Sequence, residues 1–222
     1  KSLHEIDPDV VLYGEGWAAM SPALPADSIA LKVNTWQLDR VGAFSDNIRD
    51  AVRGPLDCSN AGFMDGVPGR KADLEFGIAG GVEHPQVSVP HWTASPLQHV
   101  SYVSCHDDLC LTDKLYRSMP GSTEADRQRA ARLAQTIVFT SQGTPFMFNG
   151  EEVFRSKKLV HNSYNRPDSI NAIDWSLLDK NADQYKYYRN LIALRKAHPA
   201  FRMSDASEIA RNLVFDNVKE PG

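Results

Sequence analysis

Asp9-Val-Val-Leu-Tyr-Gly-Glu-Gly-Trp17 decides how the chain is read. Val10 to Leu12 is apolar over a length that suits a buried strand and is too short for a helix. The run stops at Gly14-Glu15-Gly16, a carboxylate between two residues that let the backbone turn sharply and a ligand come close. Trp17 adds a flat apolar face that suits a sugar ring or another planar group. A carboxylate at the C-terminal tip of a parallel strand is where α/β barrels and open α/β sheets carry their chemistry. Taken alone, Glu15 is better read as an ordinary loop carboxylate and Trp17 as a core anchor.

Working outward, the pattern repeats. Arg40 to Phe44, Val100 to Cys105 and Pro145 to Phe148 read as three further short strands. The third ends in His106-Asp107-Asp108 and the fourth in Asn149-Gly150-Glu151-Glu152. Helices are expected between them: Asn47 to Val52 behind an Asp46 cap, Ala72 to Ala79 stopped by Gly80-Gly81, and a long one capped at Ser122 and running to Phe139. Asp183 to Ala197 reads as the last strong helix, and Leu213 to Phe215 as a strand that could open another domain. Strands alternating with helices imply a parallel sheet with right-handed crossovers. Four such units suit half of an eight-fold barrel or a small doubly wound sheet.

Composition narrows the classes. The 222 residues are 42% hydrophobic and 23% charged, an ordinary globular mix. A net charge of −4 without a basic patch argues against nucleic acid as a partner. No apolar run reaches membrane-spanning length, so no transmembrane segment is expected. Lys1 is not an initiator methionine, which suggests an internal segment of a longer chain. Cys58, Cys105 and Cys110 form neither a disulfide framework nor a CxxC pair, and Cys105 reads as a buried free thiol.

Glu15 and Asp107 would share one cleft if their strands are near neighbours. Two carboxylates flanking a bond, one protonated and one charged, are the minimal equipment for glycoside hydrolysis. His106 could bond a substrate hydroxyl, and Trp17, Trp92, Trp175, Tyr102 and Tyr164 supply stacking faces. A rival reading makes Glu15, His106, Asp107 and Asp108 ligands of a hydrolytic metal. It is weakened by the lack of HxH or HExxH spacing among the histidines. A third reading is a non-catalytic α-glucan-binding module that uses the same aromatics.

Leu12-Tyr-Gly-Glu-Gly-Trp17, Tyr102-Val-Ser-Cys-His-Asp107, Ala43 to Ala51, Phe148 to Glu152 and His161 to Asn171 with Asp174-Trp175 together resemble the type I pullulanases. These are debranching enzymes of the α-amylase superfamily. The resemblance implies the C-terminal half of a catalytic (β/α)8 barrel, strands 5–8, over residues 1–204. Residues 205–222 would be a linker or the start of a C-terminal β-sandwich. It implies a retaining hydrolase of α-1,6 branch linkages, with Glu15 as general acid/base and Asp107 as transition-state stabiliser. His106, Trp17, Asp168, Asn171 and Tyr164 would bind the α-glucan. No metal or other cofactor is needed, although calcium sites are common in the superfamily. Asp108 departs from the asparagine of many relatives. The family's nucleophile, an aspartate on the preceding strand, is absent from this chain. The isolated polypeptide is therefore expected to be inactive, and either to self-associate or to close on the missing half-barrel. A bacterial, secreted or cell-surface parent is inferred from the polymeric substrate.

Overall fold

The computed structural model describes residues 2–18, 23–56 and 59–216. Four parallel strands form one sheet in the order in which they occur: β1 Leu12–Gly14, β2 Val41–Phe44, β3 His99–Ser101 and β4 Thr144–Pro145. Leu12 is in register with Val41, Ala43 with His99, and Val100 with Thr144. The ladders are shorter than the apolar runs suggest. At β4, Pro145 has no N–H to give, and one further bond from Phe146 N to Ser101 O (2.8 Å) carries the alignment past it. The first run differs more. β1 is an edge strand, and Val11 and Tyr13 are 63% and 50% exposed, so the expected burial of this run is not found.

The helices are α1 Ser2–Ile6, α2 Asp46–Arg53, α3 Lys71–Ile78, α4 Leu111–Ser118, α5 Glu124–Thr140, α6 Asp168–Asn171, α7 Leu177–Lys180, α8 Ala182–Ala197 and α9 Ala206–Asn212. Two expected caps move by one residue. Ser45, not Asp46, accepts from Ile48 N at the start of α2. Thr123, not Ser122, opens α5 in a reciprocal box with Asp126. The main core lies where α2, α3, α4 and α5 converge, around Ile48, Val52, Leu74, Leu115, Ala134 and Val138. Helix α4 has no apolar signature in the sequence, because charge masks its inward face. Asp113 and Lys114 are buried beside Leu111 and Leu115. Asp113 accepts from Lys157 N at 2.8 Å, and Lys114 Nζ donates to Pro55 O at 2.8 Å.

Leu213 to Phe215 form no strand. Instead α9 buries Ile209 against Ala79 and Val82. The Gln86 side chain then pairs with both polar groups of Phe215, donating to its O at 2.8 Å and accepting from its N at 2.9 Å. An amide side chain thus satisfies the bonds a strand would have made. Residues 217–222 of the expected C-terminal extension and Cys58 lie outside the described residues.

The crossing of α2 and α3 in the core depends on Gly77. A Cβ there would sit 2.6 Å from Ile48 Cβ, in a helix with ordinary dihedrals. Gly77→Ala improves helix propensity yet should destabilise the protein by about 1–3 kcal/mol through overpacking, read as a lower urea midpoint at unchanged slope.

Candidate active site

The cleft lies at the C-terminal ends of β1 to β3. Each strand contributes by the way it ends. β1 runs straight into Glu15 and a turn at Gly16, whose φ of +70° and close approach to Lys32 N (3.0 Å from a built Cβ) both suit glycine. β2 passes at once into α2 through buried Ser45, so no long loop stands between the tips of β1 and β3. β3 continues through Tyr102 to His106 and Asp107. Across the gap left by β2, His106 Nε2 lies 2.8 Å from Glu15 Oε1 and 3.6 Å from Asp107 Oδ2. With Nε2 protonated, His106 donates to Glu15 while facing Asp107. All three side chains are exposed.

These groups line a cleft of about 310 Å³ with Trp17, Tyr102 and Arg49. Its base is aromatic. Phe44 meets Tyr13 edge-on at 5.5 Å, Phe146 at 5.1 Å and Tyr102 at 4.7 Å, so each strand or its extension supplies one ring. Burial raises the Tyr102 phenol above its usual range, and its oxygen accepts from Arg49 Nη1 at 2.7 Å. Tyr102 and Trp92 are buried, so neither offers the open stacking face expected of it. Trp17, 45% exposed, does.

Asp108 turns the other way. Its φ of +60° is a left-handed conformation that aspartate tolerates better than most residues. The carboxylate, almost wholly buried, accepts from Arg53 Nη2 at 3.1 Å and meets His161 Nε2 at 2.7 Å. Asp108 N donates to Asn162 Oδ1 at 2.6 Å. Burial pulls the Arg53 pKa down, and Asp108 pushes it back. Of the residues in the metal reading, Glu15, His106 and Asp107 hold donor atoms within 4.8 Å of one another, and Asp108 stands apart on Arg53.

Beneath the turn lies Glu151, fully buried and bonded to Ser104 Oγ and Gln135 Nε2. Burial raises its pKa to about 8, so it is a neutral acid at pH 7. The remaining expected residues are spread out. Tyr164 is 80% exposed. Asp168 lines a different groove, beside Tyr116 and Lys180. The Asn171 amide is taken up by its own loop, donating to Ser163 O at 2.7 Å and to Arg166 O at 2.8 Å. The structure does not bring these three to the Glu15 cleft. Cys105 is half-buried and free. Sequence reasoning missed Arg49, Arg53 and Lys32, because nothing in spacing distinguishes a basic residue that folds inward from one that faces water.

No protein-family model matches the chain. Among characterised proteins, it is 37% identical over 216 residues to the pullulanase of Bacillus subtilis, spanning 96% of this chain and 29% of that protein. A 79-residue stretch is 39% identical to the isoamylase of Pseudomonas amyloderamosa. The structure superposes with a TM-score of 0.93 on the Paenibacillus barengoltzii pullulanase in complex with maltohexaose and α-cyclodextrin. That match has 41% identity and covers 98% of this chain and 33% of the other. The pullulanase of Bacillus acidopullulyticus matches at 0.90 with 40% identity, over 96% of this chain and 26% of the other. The chain thus spans about a third or less of the relatives' length.

Two outcomes test this electrostatic arrangement. Asp108→Ala strands the Arg53 charge and should cost roughly 3 kcal/mol in urea unfolding, since a buried ion broken on one side is strongly destabilising. Glu151 keeps its proton to about pH 8 when folded, against an ordinary value of 4.5. Stability should therefore fall as pH rises between those values and level off above them. Glu151→Gln should flatten that segment of the stability–pH curve.

Proposed function

Because the chain belongs with the pullulanases, matching one part of those larger proteins, we propose that it is the portion of a debranching glycosidase that carries the general acid/base. The observation that supports this is the trio at the strand tips, where His106 bridges Glu15 and Asp107. Glu15 protonates the glycosidic oxygen of an α-1,6 branch point, and later deprotonates the water that releases the product. Asp107 stays charged and stabilises the oxocarbenium-like transition state. His106 orients both carboxylates and bonds a hydroxyl of the sugar at the scissile bond. Trp17 stacks on the glucose unit of the leaving group. Tyr164, Asp168 and Asn171 belong to a second tier, in which the loop contacts more distant glucose units. No metal takes part in this scheme.

On this reading the parallel sheet is the C-terminal half of a (β/α)8 barrel, filling residues 1–204, with residues 205–222 leading into a further domain. The outer edges of β1 and β4 then pair with the complementary half, which also brings the nucleophile. The substrate class is an α-glucan with α-1,6 branches, in keeping with the maltooligosaccharides bound by the structural neighbours.

One spacing favours a second assignment. Glu15 and Asp107 hold oxygens within 4.8 Å of each other, close enough for the two to flank one bond as acid/base and nucleophile do in retaining enzymes. Asp107 would then be the nucleophile, and these 222 residues could act alone. Pullulan hydrolysis by the isolated polypeptide would establish that assignment, whereas the half-barrel reading expects none. In the full-length enzyme, Glu15→Gln should lower kcat on pullulan by roughly a thousandfold. A variant that retains wild-type turnover removes Glu15 from the mechanism.

A further inference from the structure

Lys32 lies in the segment that crosses beneath the Glu15 turn, and no element of the proposed mechanism uses it. Its backbone N–H donates to Gly16 O at 2.8 Å, which ties it to the residue after Glu15. Its ammonium lies 5.5 Å from the centroid of the Trp17 ring and 5.8 Å from that of Trp92. The same ammonium pairs with Asp46, a cleft-lining residue in the first turn of α2, and reaches Asn47 Oδ1 at 3.4 Å. Asn47 Oδ1 also accepts from Trp92 Nε1 at 3.3 Å. Trp92 in turn stacks on His99 at 5.5 Å. The result is a column running from the cleft to the base of β3: Trp17, Lys32, Trp92, His99.

The two indoles differ in what they can do. Trp92 is 6% exposed and held by its own hydrogen bond and by His99. Trp17 is 45% exposed and makes no ring–ring contact among the described residues. An indole with one open face and one face toward a cation can present the open face to a sugar at a defined tilt. The cation itself is 17% exposed, so water screens the attraction only in part.

Resting on the assignment of Trp17 as a sugar-stacking residue, we propose that Lys32 is a positioning residue that sets the plane of Trp17, and so the affinity of the cleft for the glucose unit stacked there. Asp46 neutralises the ammonium and aims it. Trp92 is the fixed wall against which it is braced. Lys32 touches no reacting atom, so its removal should affect binding rather than turnover.

The test is a double-mutant cycle in the full-length enzyme on pullulan, with Lys32→Met, Lys32→Arg, Trp17→Ala and the double variant Lys32→Met/Trp17→Ala. Lys32→Met keeps the length of the stem and deletes the charge. It should raise KM about 3- to 10-fold while kcat stays within about twofold, the size expected of a part-buried cation–π contact. Lys32→Arg should recover most of the loss. In the Trp17→Ala background, Lys32→Met should add nothing, because the ring it orients is gone. The proposal is overturned if the two effects multiply, or if Lys32→Met leaves KM unchanged while Trp17→Ala raises it. If Trp17→Ala itself leaves KM unchanged, the stacking role fails first and takes this inference with it. Cooperative melting of each variant is checked by circular dichroism. If neither Lys32→Met nor Lys32→Gln folds, the lysine is a structural residue and the proposal also falls.

Discussion

A guanidinium with almost no contact with water sits at the C-terminal end of α2, and the architecture of the cleft follows from the need to pair it. Arg53 donates to Asp108 Oδ2 and to Leu109 O, at 3.1 and 2.9 Å. Asp108 can accept only because its backbone adopts the left-handed conformation, which sends the chain back after His106 and Asp107. His161 and Asn162 then close on the same residue from the later loop. One buried charge therefore joins three segments far apart in sequence. An unpaired ion there would cost several kcal/mol, so the segments are held together by a penalty more than by an attraction.

The carboxylates near the strand tips occupy three environments, and their chemistry divides accordingly. Glu15 and Asp107 are exposed, where a sugar hydroxyl or a glycosidic oxygen can reach them. Asp108 is buried against a cation. Glu151 is buried with no ion-pair partner among the described residues and remains neutral, accepting from Ser104 and Gln135. Environment, not residue type, separates the exposed pair from the buried carboxylates. Ser104 lies two residues before His106, so the neutral acid supports the turn from below without adding charge to it.

Much of this is legible in the sequence. Polar groups at the ends of short apolar runs located Glu15, His106 and Asp107, and strand–helix alternation gave a parallel sheet. The run Val10 to Leu12 is apolar yet lies at a sheet edge with Val11 exposed, because an apolar pattern does not say whether a strand is central or at an edge. Helix α4 is not legible because its inward face carries Asp113 and Lys114, and a pattern based on hydrophobicity counts such residues as outward. The same blindness hid Arg49, Arg53 and Lys32. The C-terminal strand failed because Gln86, far away in sequence, supplies by a side chain the bonds that Phe215 would have sought from a ladder. Long-range polar pairing has no local signature.

The sheet order has a consequence for how the cleft comes into being. Among the described residues each strand pairs with its immediate predecessor in the chain, and none inserts between two already formed. During synthesis the sheet can therefore grow in one direction, each strand docking on a finished edge as it emerges. Among these four strands Glu15 is presented first, at the end of β1, and His106 arrives two strands later. Until then the carboxylate faces water with no imidazole to hold it. The polar trio forms only once β3 has docked, so its assembly reports that β2 and α2 are already in place.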